Sequence, residues 1–127
     1  MTPDSQAYLD KSKELLVEAA GLLTHGFNNA AGRDAYLAGF HAAQALIAEK
    51  MGKPAKTHMG VQSEIYRLLS IDPNIDPDLL KFLSRAYNLK AVADYETGPG
   101  SIIPVDRVTD ATEMAKRFVE TIERLLA

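Results

Sequence analysis

The chain contains no cysteine among its 127 residues, which excludes disulfides and thiolate metal sites. It contains no tryptophan and only five tyrosines and four phenylalanines, so large aromatic stacking surfaces are scarce. It lacks an apolar run of the roughly 20 residues needed to cross a bilayer. The opening residues, MTPDSQAYLDKSKELL, show no basic segment followed by an apolar one, so no signal peptide is expected. A reducing, cytoplasmic setting fits these absences. The net charge of −3 argues against a globally basic nucleic-acid binder, while leaving room for a local basic patch. There is no glycine-rich phosphate loop, no serine-nucleophile signature and no ligand-like spacing among His25, His41 and His58. Neither a metal nor a cofactor is therefore implied.

What is present favours one helical domain. Apolar residues make up 46% of the chain, enough for a real core at this length. Alanine and leucine abound, and both are strong helix formers. Apolar spacing and breakers predict five helices, at about Asp4–His25, Asn29–Met51, Thr57–Ser70, Asp76–Tyr95 and Pro104–Leu126. Gly26 and the Asn28-Asn29 pair read as the stop of the first. Thr57 reads as an N-cap, as does Asp76, which precedes Pro77 at the first helical position. Short connections imply an all-α, antiparallel up-and-down bundle of four or five helices, with residues 1–127 forming a single domain. The segment GPGSIIP, Gly98 to Pro104, reads as a turn or a mobile loop.

The stretch AYLAGFHAAQALIA, Ala35 to Ala48, carries no charge and reads as the buried central helix. Its alanines permit close approach of neighbouring helices or of a second subunit. His41 stands in its middle, with Asp34 seven residues earlier on nearly the same face, a pairing that could orient an imidazole for acid–base work. A packed histidine satisfied by some other neighbour is the simpler alternative.

Two further segments could carry chemistry. In KMGKPAKTHMG, Lys50, Lys53, Lys56 and His58 gather at the mouth of the third helix, where free backbone N–H groups favour phosphate; a solvated lysine loop is the alternative. In SRAYNLKAVADYETG, Tyr87, Lys90 and Asp94 follow at three- and four-residue steps along the flank of the inward stripe. Lys90 and Asp94 could equally form an i,i+4 ion pair worth about 0.3 kcal/mol.

The run RDAYLAGFHAAQALIAEKMGKPAKTHMGVQSEIYRLL, followed by IDPDLLKFLSRAYNLKAVADYETG, resembles HEPN domain proteins, above all the small stand-alone prokaryotic branch. Three signals carry the resemblance. They are Tyr36 with Phe40-His41-Ala42-Ala43, Lys56-Thr57-His58 with Gly60-Val61, and Ala86-Tyr87 leading to Ala93-Asp94-Tyr95. The resemblance spans about Asp4 to Leu126. It implies a helical bundle, commonly homodimeric. It also implies RNA chemistry, since many such proteins are metal-independent endoribonucleases that act as toxins beside a nucleotidyltransferase antitoxin. In those enzymes an arginine holds the scissile phosphate, and a histidine a few residues later moves protons at the ribose 2′-hydroxyl. Here Lys90 stands at the arginine position, and Tyr95 stands where the histidine would follow after the shortest gap.

The expectation is thus a dimeric RNA- or nucleotide-binding module of toxin–antitoxin type, with a degenerate nuclease motif at Lys90, Asp94 and Tyr95. His41, Lys53, Lys56, His58 and Tyr87 are the further ligand- or phosphate-binding candidates. The alternative is an endoribonuclease in which His41 or His58 replaces the missing base. A purely structural bundle is the third possibility.

Overall fold

The structure, a computed structural model, describes all 127 residues and is built only of helices. They are α1 (Pro3–Thr24), α2 (Asn28–Met51), α3 (His58–Ser70), α4 (Pro77–Leu80), α5 (Phe82–Tyr95) and α6 (Val105–Leu126). Six helices thus stand where the sequence predicts five. The predicted fourth helix is broken at Lys81, whose backbone (φ −98°, ψ −3°) leaves the regular helical track and whose N–H turns back to the Asp78 carbonyl. No proline or glycine marks that break. The single turn α4 is held by the Asp76 cap, which accepts from the Asp78 N–H at 2.9 Å and also receives Arg117 of α6.

The predicted caps form. The Thr57 hydroxyl accepts the Gly60 N–H at 3.0 Å, and Gly52 ends α2 in the left-handed conformation (φ 75°) that glycine adopts without a Cβ penalty. Thr2 caps α1 through the Ser5 N–H.

Helix α2 is the shaft of the bundle, flanked by α1, α5 and α6. Ala31, Ala35, Ala38, Ala42, Ala43 and Ala45 are fully buried within this one chain. The alanine face therefore serves packing inside the protomer and is not open to a second subunit, contrary to one reading of the sequence. Close approach shows at two points. The buried Ser12 hydroxyl of α1 donates to the Ala38 carbonyl at 2.7 Å, and the Gly39 Cα lies against the Phe82 ring. The main core gathers Leu9, Leu46, Ile47, Val61, Ile65, Leu69, Leu79, Leu83, Phe118 and Ile122 around this shaft, with Phe82 and Phe118 at 5.1 Å. Each such buried side chain contributes roughly 1.5–3 kcal/mol.

A smaller cluster of Ala31, Leu89, Ile103 and Val108 closes the other end. There the segment Gly98–Pro104 is an ordered strap. Asn29 donates to the Ser101 carbonyl and accepts the Ile103 N–H, both at 2.8 Å, and Asn28 donates to the Ile103 carbonyl at 3.0 Å. The asparagine pair, which follows the end of α1 and opens α2 as the sequence predicts, also clamps the strap. No helix is long and apolar enough to cross a membrane.

Candidate functional site

The flank of α5 carries Tyr87, Lys90 and Asp94 at helical spacing, and Tyr95 ends the helix. Lys90 Nζ meets the Asp94 carboxylate at 2.8 Å, so the i,i+4 ion pair expected on structural grounds does form. Asp94 is also reached from α2 by Arg33 Nε at 3.0 Å. One carboxylate thus serves two cations and leaves an excess positive charge. The ammonium lies over two aromatic faces, 5.9 Å from the Tyr87 ring centre and 5.8 Å from that of Tyr95. Tyr95 is 76% exposed, so its ring is open to a ligand.

Behind Tyr87 lies His58, the first residue of α3. Its ring stacks on Tyr87 with centroids 3.9 Å apart and planes 19° from parallel. His58 Nδ1 is 2.8 Å from the hydroxyl of Tyr36, a residue of α2 that is only 3% exposed. Tyr36 also meets the edge of Tyr87. Three helices therefore bring Arg33, Tyr36, His58, Tyr87, Lys90, Asp94 and Tyr95 to one place.

The charges follow from these contacts. The Asp94 hydrogen bond and charge raise the Lys90 ammonium above its ordinary pKa, and the Lys90 hydrogen bond, helped by Arg33, lowers Asp94. Burial, then the nearby Lys90 charge, lowers His58. Burial, then Tyr87, raises the Tyr36 phenol, which stays protonated.

The protonated Tyr36 phenol favours one tautomer of His58. His58 Nδ1 is the side-chain partner of the Tyr36 hydroxyl, in a part-buried contact. The phenol donates to Nδ1, and neutral His58 carries its own proton on Nε2. In that tautomer His58 offers a hydrogen-bond donor at Nε2. Acting as a base would first require Nε2 to lose that proton.

The remaining candidates lie apart. His41 does not pair with Asp34. Its Nδ1 meets the Gln44 side-chain oxygen at 2.7 Å, while Asp34 turns towards Glu18 of α1. Seven residues place two side chains on one face but two turns, about 10 Å, apart along the axis. Lys56 lines a groove with His41, whereas Lys53 stands exposed in the turn after Gly52 and lines neither place. A further pocket of about 330 Å³ between α5 and α6, with Phe82, Arg85, Arg107 and Met114 in its walls, holds none of the predicted residues. Sequence reasoning missed Arg33 and underused Tyr36. The signal was present, since Arg33, Tyr36 and Phe40 follow on one face of α2.

Over residues 5–126 the chain matches the HEPN domain family, and it belongs to that family of nuclease and nucleotide-binding modules. In fold it is similar to the protein TT1696 from Thermus thermophilus, known from a crystal structure. The TM-score is 0.76 at 19% sequence identity, over 97% of this chain and 98% of that one. At that identity the likeness concerns the fold. No curated protein matches the sequence.

Proposed function

We propose that this chain is an RNA- or nucleotide-binding HEPN module whose ligand sits on Lys90, Tyr87 and Tyr95, backed by His58. One observation carries the reading: a single ammonium held over two aromatic faces, one of them largely open to solvent. A cation for phosphate beside flat rings for bases is the usual recipe for single-stranded nucleic acid, with each stacked base worth about 1–3 kcal/mol. Lys90 acts as a point charge and lacks the fork that lets arginine grip phosphate at two points. The donor tautomer of His58 favours holding an anion or base edge over taking a proton from a 2′-hydroxyl. In this reading the nuclease motif is degenerate. The module works as a homodimer in a prokaryotic cytoplasm, as a toxin–antitoxin-type component beside a nucleotidyltransferase partner.

The second reading is a metal-independent endoribonuclease with an altered site. His58, unlike His41 and His25, stands in the Lys90 cluster, so it is the histidine that would act. The deciding experiment incubates purified protein with a mixed RNA pool in EDTA, alongside Lys90→Ala. The binding module is expected to hold RNA or nucleotide saturably without cutting it, and Lys90→Ala to weaken binding roughly tenfold, the worth of one charge-assisted contact. Cleavage that is lost on His58→Ala would establish the enzyme instead. Neither binding nor cleavage by folded protein would leave a structural bundle.

A further inference from the structure

On another side of α2, His41 faces a groove of about 460 Å³ whose walls include Asp4, Tyr8 and Lys11 of α1, and Pro54 and Lys56 from the turn before α3. It shares no residue with the Lys90 cluster. The histidine is held firmly. Its Nδ1 is 2.7 Å from Gln44 Oε1, and the Gln44 amide nitrogen donates to the Ala55 carbonyl at 2.9 Å. Gln44 is buried, and rotating its amide would set oxygen against oxygen at Ala55. The glutamine therefore offers only its oxygen to His41, and His41 must carry a proton on Nδ1. The Tyr8 ring lies nearly parallel to the imidazole, with centroids 6.3 Å apart.

This is the opposite tautomer to that of His58. The His41 Nε2 is left with a lone pair, in a groove that Lys11 and Lys56 also line. On taking up a proton, Nε2 becomes a third cationic donor while the Gln44 oxygen continues to accept from Nδ1. The groups facing it are Asp4, which opposes an anion, Tyr8, Lys11, which also pairs with Glu14 at 3.5 Å, and Lys56.

We propose that this groove is a second, independent binding site for a phosphate monoester, held by His41, Lys56 and Lys11. The ester is a mononucleotide 5′-phosphate or the phosphorylated end of an RNA. Phosphate is the ligand that two ammonium groups and a proton-accepting imidazole suit together, because the imidazole either accepts from a singly protonated phosphate or charges as a dianion arrives.

NMR of the imidazoles of the intact protein, titrated with inorganic phosphate, tests this directly. The free protein is expected to show His41 protonated on Nδ1. Phosphate is expected to shift the His41 signals saturably. Lys56→Ala and His41→Gln are expected to weaken binding roughly tenfold each, whereas Lys116→Ala, removing an exposed lysine elsewhere, leaves it unchanged. Competition by 5′-AMP, compared with that by matched 5′-phosphorylated and 5′-hydroxyl RNA oligonucleotides, separates the nucleotide from the RNA end. A His41 proton on Nε2, signals unmoved by phosphate, or equal weakening in Lys116→Ala would overturn the proposal. None of these readouts depends on Lys90.

Discussion

The Tyr36 hydroxyl and His58 Nδ1, 22 residues apart in sequence, lie 2.8 Å apart in a part-buried contact in which the phenol donates to the ring. Tyr36→Phe removes that donor. The variant is expected to lose about 1 kcal/mol of stability, the net worth of one hydrogen bond. His58 in the variant is expected to show a mixture of tautomers where the parent shows a proton on Nε2 alone. Imidazole nitrogen shifts and a denaturant midpoint measure the two effects. An unchanged tautomer would contradict the assignment.

Asp94 restrains two cations at once, Lys90 and Arg33. Neutralising it with Asp94→Asn is expected to tighten binding of single-stranded RNA. The slope of log affinity against log salt should steepen by about 0.7 for each cation released to the phosphates. The cost in stability is small, below about 1 kcal/mol, as for other ion pairs near the surface. Affinities across a salt series provide the check. Weaker binding would mean that the carboxylate itself contacts the ligand.

Asp34 is 5% exposed, and its Oδ2 has no hydrogen-bond partner. Burial first, then the facing Glu18 carboxyl, raises its pKa from 3.8 to about 7, against the weaker pull of Arg33 and Lys11. The folded state therefore binds a proton that the unfolded state has released above about pH 4. The stability this proton contributes is present at low pH and is lost as the pH rises from about 4 through about 7. Asp34→Asn is expected to stabilise the protein at about pH 8, on the order of 1 kcal/mol, and to flatten the decline across that window. Thermal unfolding from about pH 5 to 8 reads the difference.

Two glycines in helices predict opposite outcomes. A Cβ on Gly39 would stand 2.3 Å from Phe82 Cε2, where α5 starts across α2. Gly39→Ala is expected to cost about 1–3 kcal/mol through overpacking. Gly21 of α1 has nothing within 4 Å of the same atom, and Gly21→Ala is expected to gain about 0.5–1 kcal/mol from helix propensity alone. Denaturant midpoints of the two variants give the comparison.

Local signals in the sequence read well where local chemistry decides the structure. Thr57, Asp76 with Pro77, and Gly52 mark helix ends because each satisfies or releases backbone groups within its own turn. The buried stripe of α2 was legible because alanine, phenylalanine and isoleucine repeat without charge. The break at Lys81 was not, since no breaker residue marks it. The hold of Asn28 and Asn29 on the strap was not legible either. Their partners lie more than 70 residues away, in the strap. Of the candidate site, the Tyr87–Lys90–Asp94 flank followed from helical spacing. Its union with Arg33, Tyr36 and His58 depends on where α2 and α3 come to rest against α5. Spacing along one helix also suggested a His41–Asp34 pair, which two turns of axial rise keep apart.

Helix α2 leaves almost no room for larger side chains, so it fixes the separation of what it carries. The Lys90 cluster draws on Arg33 and Tyr36 from it, and the His41 groove draws on His41 and Gln44. A rod that cannot thicken acts as a gauge. A larger side chain on its buried face would displace Arg33, Tyr36, His41 and Gln44 together, because all four ride on one helix.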